Sequence, residues 1–362
     1  MIEPTENPYE KLARVLDKIP NSFPAVEDGT HLRVLEWIFT PEEADLASKL
    51  KMRGETAEEI ANRLNLDKKE VKERLETMDS KGQIIAYYSE EGKKFALFQW
   101  VVGIYEEQLF RMDEKFAKLT DEYFKKAKFG GLMTTKPAVH RVVPVNKVIK
   151  TEIEVHPFEE VERFIEEAKS WGVRDCICKV QQKLIGKECN YSETVCLVFA
   201  PVENYFQNDK NTRPITKEES HRILRHAEDI GLVHSTRNTQ DVTSYICNCC
   251  SCCCGILRGL IEFEQPHAFA KANYVMTVNE DLCIGCEACL DRCQFEALEI
   301  IDSICHVNDR CVGCGVCALV CPEDALQLER RKTADLEEHP ITRKEWIEQK
   351  AKARNINISD LI

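Results

Sequence analysis

The sequence has no cysteine before Cys176 and then has 19. It also lacks a long apolar run, and a membrane span needs about 18 or more continuous apolar residues. Its first residues lack the basic start and the apolar stretch of a secretion signal. We therefore expect a cytoplasmic protein without a membrane span, in which closely spaced cysteines bind metal rather than form disulfides.

Motifs for nucleotides and for hydrolysis are missing as well. The chain contains no G-x-G-x-x-G, no P-loop sequence and no nucleophile elbow. Without a flavin or nicotinamide signature, the chain is expected to receive electrons from another protein, and a flavoprotein is one candidate.

Acidic residues outnumber basic residues by 62 to 49, which gives the chain a net charge of −13. Residues 274–330 alone hold 11 Asp and Glu against three Arg, a net charge of −8. A chain this acidic is a poor general binder of nucleic acid, so DNA is not the expected partner. A redox partner with a basic docking surface is expected instead.

The first hundred residues contain signals for helices and a hairpin. Thr40 is followed by Pro41 and two acids, the pattern of a helix N-cap with a first-turn proline. Thr56 stands three residues before Glu59, the pattern of a capping box. A further helix is predicted over 68–80, and two strands are predicted around a turn at 89–92. Helix, turn, helix and hairpin in this order resemble a winged-helix domain, for which DNA binding is the alternative role.

A long helix is predicted over residues 102–124. Apolar residues recur there at spacings of three and four, as in a coiled-coil stripe. They are Val102, Tyr105, Leu109, Met112, Phe116, Leu119 and Tyr123. The stripe either packs on the protein's own core or forms a homodimer through the 102–123 helix. Farther along, strands are predicted within 138–155 and a helix from Pro157 to Trp171.

The cysteines near the C-terminus form an internal repeat. Cys283, Cys286, Cys289 and Cys293 have the spacing C-x2-C-x2-C-x3-C, and the same pattern recurs 28 residues later. The second copy consists of Cys311, Cys314, Cys317 and Cys321. Structural zinc is the alternative for such cysteines, although zinc sites usually contain two C-x2-C pairs.

This repeat resembles the bacterial two-cluster ferredoxins, which carry two [4Fe–4S] clusters and transfer one electron at a time. The resemblance implies that each repeat supplies its fourth cysteine to the other cluster. Cluster one would take Cys283, Cys286, Cys289 and Cys321, and cluster two would take Cys311, Cys314, Cys317 and Cys293. Gln294 stands where the family usually has a proline, which Pro322 provides in the second copy.

Ten further cysteines precede the repeat, six of them within eight residues. They are Cys176, Cys178, Cys189, Cys196, Cys247, Cys249, Cys250, Cys252, Cys253 and Cys254. Either the first four bind one iron–sulfur cluster and four of the last six bind another, or both segments share one centre and the spare thiols do redox chemistry. Zinc or a thiol relay remains a further alternative. A helix from about Cys249 would place Cys249 near Cys252 and Cys253, and Cys250 near Cys253 and Cys254.

The sequence as a whole predicts an α+β multidomain protein. The segments expected are an N-terminal arm (1–30), a winged-helix-like domain (31–100), a long amphipathic helix (101–130), a Cys-rich α/β iron–sulfur domain (131–270), a two-cluster ferredoxin module (274–330) and a helical tail (331–362). The combination is similar to a group of iron–sulfur proteins of anaerobes.

Three functions are compatible with these features. The first is electron transfer within a cytoplasmic anaerobic oxidoreductase complex, through two [4Fe–4S] clusters and a further Cys-rich centre. The second is an iron–sulfur redox-sensing transcription regulator. The third is a reductase whose active site is the central Cys-rich centre.

Overall fold

A computed structural model of the chain describes residues 6–241 and 243–361. The chain contains two compact units. The first comprises residues up to 135 together with 184–186 and 347–362, and the second comprises residues 136–183 and 187–346. All 19 cysteines therefore lie in the second unit.

The first unit begins with three helices, α1 (Pro8–Lys18), α2 (Thr30–Ile38) and α3 (Pro41–Ala47). Helix α3 starts after the predicted N-cap residue Thr40, which forms a capping box with Glu43. The Glu43 backbone N–H donates to the Thr40 hydroxyl, and the Thr40 N–H donates to the Glu43 carboxylate. The box satisfies two backbone donors that a helix start would otherwise leave free.

A helical pair and a small sheet follow. The elements are β1 (Glu55–Thr56), α4 (Ala57–Leu64), α5 (Lys68–Ser80), β2 (Ile85–Ser89) and β3 (Gly92–Ala96). The strands form an antiparallel sheet in the order β1-β3-β2. Helix α5 buries Val71, Leu75 and Met78, the apolar face that its spacing predicts.

The prediction of one continuous helix over 102–124 is wrong. The segment contains a short helix α6 (Tyr105–Glu107), a 3₁₀ turn and then helix α7 (Glu114–Ala127). Asp113 separates them, because its carboxylate accepts a hydrogen bond from the Phe116 N–H and so caps a new helix. The stripe of apolar residues therefore does not continue along one helix face.

Aromatic members of the stripe lie in the core of the first unit. Tyr105, Phe116 and Tyr123 are all buried. Trp100 contacts Tyr105 and Tyr123 at centroid distances of 5.7 and 6.2 Å, and Phe124 lies edge-on to Tyr105 at 5.2 Å. These rings are covered by their own unit, so the stripe offers no continuous face to a second chain.

A seven-stranded mixed sheet forms the centre of the second unit. Its strands are β4 (His140–Val142), β5 (Ser170–Asp175), β6 (Thr194–Ala200), β7 (Arg213–Ile215), β8 (Val233–Arg237), β9 (Tyr245–Cys249) and β10 (Phe269–Ala270). The order is β10-β4-β8-β9-β6-β5-β7, and only β10 and β4 pair in parallel.

Four helices accompany this sheet. They are α8 (Val161–Glu166), α9 (Ile177–Leu184), α10 (Lys217–Asp229) and α11 (Gly255–Ile261). The buried cluster of the unit joins Val161, Phe164 and Ile165 of α8 to Leu197 and Ile246 of the sheet. The apolar faces of the sheet and of α8 thus exclude water together.

Two predictions in this region need correction. Within 138–155 only β4 is a strand, because the Val145 N–H donates to the carbonyl of Cys314 rather than to a neighbouring strand. The helix predicted from Pro157 to Trp171 ends at Glu166. Trp171 lies in β5, where it pairs with Phe199 of β6.

The end of the second unit holds the repeat. Its elements are β11 (Tyr274–Val278), α12 (Ala288–Arg292), β12 (Leu298–Ile301), β13 (Ile304–Val307) and β14 (Leu326–Arg330). β11 pairs with β14, and β12 pairs with β13, both antiparallel. Of the predicted helical tail, only α13 (Arg343–Ala353) is an α-helix. Over the ranges that the structure describes, no helix is long and apolar enough to cross a membrane.

Candidate metal centres

The first repeat surrounds a cavity with cysteines. Cys283, Cys286 and Cys289 line it from the first copy of the motif, and Cys321 lines it from the second copy. Cys293, the fourth cysteine of the first copy, is not among the residues that line it. The set predicted for cluster one is therefore brought together in space.

Backbone donors point at the sulfurs of this set. The Cys305 N–H donates to Cys283 Sγ at 3.3 Å, and the Ala325 N–H donates to Cys321 Sγ at 3.3 Å. Hydrogen bonds to cysteine sulfurs are one of the means by which a protein tunes an iron–sulfur cluster. The loop passes Gly285 at φ +65°, where an added Cβ would lie 2.5 Å from the Ser303 carbonyl oxygen.

The second repeat forms a buried set. Cys311, Cys314 and Cys317 are all buried. Burial, together with the charges of Cys311 and Cys293, raises the pKa of the Cys314 thiol to about 12. The Ala297 N–H donates to Cys293 Sγ at 3.4 Å. The charge of Cys293 acts on both Cys314 and Cys317, so Cys293 lies beside the second set, and the crossed ligation that the ferredoxin resemblance implies stays a prediction.

Close packing surrounds the second loop. Gly313 has φ +73°, and a Cβ there would lie 2.1 Å from the Tyr274 carbonyl oxygen. Only a glycine fits between the cysteine loop and strand β11 at this point.

Cys305 is a cysteine that the motif spacing does not reveal. It lies on β13, is buried, and borders the same cavity as the first set. Its Sγ is 3.7 Å from Cys289 Sγ. Burial and the neighbouring charge of Cys289 raise the pKa of the Cys305 thiol to about 12. The one signal in the sequence is that this cysteine falls between the two motifs.

Six of the ten central cysteines form a ring of thiols. Each thiol interacts with two others, in the order Cys176, Cys178, Cys254, Cys249, Cys247, Cys196 and back to Cys176. The ring joins cysteines from both sequence segments. Hydrogen bonds from Cys178 and Cys196 hold the pKa of Cys176 well below its usual value.

The sheet explains why these six thiols meet. Cys176 directly follows β5, Cys196 lies on β6, and β6 pairs with both β5 and β9. Cys247 and Cys249 are two residues apart on β9 and so share one face. Between them, Asn248 is buried; its Oδ1 accepts a hydrogen bond from His234 Nδ1 at 2.6 Å, and its Nδ2 donates to the Val195 carbonyl at 2.6 Å.

The other four central cysteines form a separate, tighter group, here called the four-cysteine group. It consists of Cys189, Cys250, Cys252 and Cys253, whose sulfurs all lie within 4.8 Å of one another. Cys189 comes from the loop before β6, and the other three come from the turn after β9. Hydrogen bonds from Cys250, Cys253 and Cys189 lower the pKa of Cys252, despite its partial burial.

Each of the two groups joins thiols from both sequence segments, so neither segment forms a group alone. The ring agrees with the interpretation in which both segments share one centre and leave spare thiols, but which of the thiols bind iron stays a prediction. The helix expected from about Cys249 is absent, because β9 ends at Cys249 and the chain turns before α11. That turn directs Cys250 to the four-cysteine group, while Cys249 and Cys254 contact each other in the ring.

Lys179 supplies positive charge beside both groups. Its side chain is 2% exposed, and its ammonium donates to the Ser192 carbonyl at 2.7 Å. Burial lowers the pKa of Lys179, but the charges of Cys176 and Cys250, and of further thiols, outweigh burial and raise it. A cation is expected beside buried thiolates, because they need a compensating charge.

Gln294 connects the first ferredoxin motif to the central cysteines. The Ser251 N–H donates to its Oε1 at 2.6 Å, and its Nε2 donates to the Gly231 carbonyl and, at 3.5 Å, to the Cys249 carbonyl. A proline at this position has no amide side chain and could make none of these bonds. The departure from the family pattern therefore has a structural reason.

Comparison with known proteins identifies the repeat. Residues 276–299 and 304–327 match the 4Fe-4S binding domain family, Fer4. No curated protein and no solved structure matches the chain. The chain therefore carries a ferredoxin-like 4Fe–4S module with two tandem motifs, together with additional cysteine-rich groups. The cavity, the backbone donors and the glycines of both loops fit [4Fe–4S] clusters.

Proposed function

We propose that this protein transfers electrons within a cytoplasmic oxidoreductase complex of an anaerobe. The observation that carries the proposal is the link between two ferredoxin-type cysteine sets and the central cysteines through Gln294. A [4Fe–4S] cluster in each set would accept and release one electron at a time. The residues of the chain would position the clusters, shield them and connect them.

The first cysteine set provides the surface at which electrons would arrive. Cys286 is exposed, and beside it Ile284 is 61% exposed. Acidic residues surround this loop, including Asp281, Glu287 and Asp302, which are all exposed. Opposite charges raise the rate of association between proteins. A redox partner with a basic docking surface, such as a flavoprotein, fits this side of the molecule.

The second set would hold the cluster that is shielded from solvent and that passes electrons on within the unit. All residues from Cys311 to Ala318 are buried, so water is excluded from this loop. Cys293, which lies with this set, directly precedes Gln294, and Gln294 binds the backbone beside Cys250 and Cys252. A covalent and hydrogen-bonded route of few links therefore joins the second set to the central cysteines.

The ring of six thiols would hold a further iron–sulfur centre. It offers two more thiols than a single cubane uses. The buried cation of Lys179 would stabilise the negative charge of such a centre when it is reduced. The ring also supports the reductase alternative, since thiols beyond those needed for ligation are available for two-electron chemistry.

Anaerobic purification with metal analysis tests this proposal. Two cubanes hold about 8 Fe and about 8 sulfides, and a centre in the ring would bring the iron above this number. Reductive titration followed by EPR should show signals that appear and disappear reversibly. A reconstituted protein with about 8 Fe would remove the centre in the ring. A protein whose clusters cannot be reduced reversibly would remove electron transfer.

A redox-sensing regulator is the second candidate, favoured by the winged-helix-like order of β1, α4, α5 and the β2–β3 hairpin. The cations of α5 weaken it, because they pair with acids. Lys68 pairs with Glu58 of α4, and two others pair within α5. Lys69 lies 4.0 Å from Glu73, and Arg74 lies 2.8 Å from Glu70. A groove-reading helix needs free cations for phosphates.

Gel-shift experiments with genomic duplex fragments, with competitor DNA present, separate the two candidates. Electron transfer predicts no sequence-dependent shift at physiological salt. A nanomolar shift that survives competitor and weakens steeply with salt would favour the regulator.

A further inference from the structure

The four-cysteine group differs from the ferredoxin sets in the spacing of its sulfurs. Within the described parts of the chain, it is the one group of three or more potential metal ligands whose ligand atoms all lie within 4.8 Å of one another. Cys252 Sγ lies 3.6 Å from Cys253 Sγ. The predicted cubane ligands Cys283, Cys286, Cys289 and Cys321 do not form such a tight group.

This spacing has a direct meaning for metal binding. A metal ion with four thiolates in a tetrahedron and bonds of about 2.3 Å places its sulfurs about 3.8 Å apart. A cubane places its thiolates outside four irons and four sulfides, and the sulfurs are then much farther apart. The spacing in the four-cysteine group corresponds to the single ion.

The contacts within the group are also those of a tetrahedron. The thiols of Cys252 and Cys253 each interact with the other three members of the group. Cys250 and Cys253 are buried, Cys189 is half-buried and Cys252 is exposed. One side of the group is therefore open to an incoming ion, while the other three thiols are fixed by packing.

Apolar side chains pack against the buried side of the four-cysteine group. Cys250 and Cys253 belong to a buried cluster with Val195, Ala227 and Leu232, against which Cys189 also packs. The Ser251 N–H is fixed by Gln294 at 2.6 Å, which orients the turn that carries three of the four thiols. A preorganised set of this kind binds metal without a large change of backbone.

We propose that Cys189, Cys250, Cys252 and Cys253 bind one metal ion that prefers four thiolates, either iron or zinc, and not a cubane. The inference rests on the geometry of these four thiols and is independent of the electron-transfer proposal. An iron ion would add a one-electron centre next to Gln294, and a zinc ion would fix the turn after β9.

The test compares two variants of the full-length protein purified anaerobically, Cys252→Ser and Cys286→Ser. Both replace an exposed cysteine in a turn, one in the four-cysteine group and one in the first ferredoxin set. Iron, zinc and acid-labile sulfide are counted per chain. Cys252→Ser should lose about one metal ion and no sulfide, whereas Cys286→Ser should lose iron and sulfide in equal numbers.

The identity of the lost ion distinguishes the two metals. Loss of one zinc assigns zinc, and loss of one iron without sulfide assigns iron. Joint loss of about four irons and four sulfides from Cys252→Ser would overturn the proposal in favour of a cubane, and an unchanged metal count would overturn it altogether. Circular dichroism of each variant controls for unfolding. Cys189→Ser repeats the test from the other side of the group.

Discussion

The two copies of the ferredoxin motif share their spacing but not their surroundings. In the first copy, Cys286 is exposed and Cys283 is half-buried, whereas in the second copy Cys311, Cys314 and Cys317 are all buried. The first is followed by Gln294 and the second by Pro322. The two copies therefore differ in exposure, and we call the set with Cys283, Cys286 and Cys289 the outer set and the set with Cys311, Cys314 and Cys317 the inner set.

This difference indicates how the fold assigns roles to similar sequences. The inner loop packs closely against β11 through Gly313, and the Cys314 carbonyl accepts from Val145. The outer loop makes a comparable close approach only to Ser303, on the exposed β12–β13 hairpin. The outer set is therefore suited to contact with a partner, and the inner set to transfer within the unit.

The largest expected effect is the loss of an inner ligand. Cys314→Ser should lose about 4 Fe and lower the melting temperature of the second unit by on the order of 10 °C, because buried ligation contributes folding free energy. Cys286→Ser should lose a similar amount of iron with a much smaller change in melting temperature. Metal analysis with calorimetry measures both.

The first unit is the internal control for these variants. It contains no cysteine, so limited proteolysis should find it intact in Cys314→Ser. A first unit that became sensitive to protease would contradict the division between metal-dependent and metal-independent parts of the chain.

Cys305 offers a second way to separate the copies. Because its sulfur lies 3.7 Å from that of Cys289, we expect it to replace this ligand when Cys289 is removed. Cys289→Ala should therefore keep most of its iron, whereas the double variant Cys289→Ala with Cys305→Ala should lose about 4 Fe. The equivalent inner variant, Cys317→Ala, should lose its iron at once. Equal losses in Cys289→Ala and Cys317→Ala would show that Cys305 is not a substitute.

A smaller effect is expected at Gln294. Gln294→Leu leaves the Ser251 N–H without its acceptor, which should cost about 1–3 kcal/mol in the free energy of unfolding. Gln294→Glu keeps the acceptor and should cost less. Pro322→Gln, the matched change in the second copy, should have little effect because Pro322 is exposed. Denaturant titration ranks the three variants, and equal stabilities would remove the proposed link.

The smallest effect concerns ionic strength. The net charge of −8 over residues 274–330 should favour a basic partner, so raising the salt from about 50 to 500 mM should slow reduction by a basic flavoprotein several-fold. Stopped-flow absorbance measures the rate. A rate that does not depend on salt would indicate apolar docking, to which exposed Leu282 and Ile284 would contribute.

Part of this arrangement could be predicted from the sequence. The eight ferredoxin cysteines are recognisable because local spacing alone determines which thiols one tight loop can present. The N-cap at Thr40 and the capping box at Thr56 are local in the same sense, and both are present. In each case, residues within a few positions of one another carry the whole signal.

The remaining features depend on contacts between distant residues. Cys196 meets both Cys176 and Cys247 because β6 lies between β5 and β9, and cysteine spacing contains no information on strand order. The break at Asp113 was hidden because a heptad pattern records apolar positions and ignores a polar residue that can cap. The sequence shows that Gln294 replaces the usual proline, but it does not show which backbone groups Gln294 binds.

The order in which the two ferredoxin sets are reduced tests most directly whether the protein has an outer and an inner set. The full-length protein is mixed anaerobically with a reduced basic flavoprotein, and samples are freeze-quenched at increasing times for EPR. Cys286→Ser and Cys314→Ser assign each signal to its set. We expect the outer set to be reduced first, and we expect Cys286→Ser to slow the reduction of every inner centre. Prompt reduction of the inner centres in Cys286→Ser would contradict the division into an outer and an inner set.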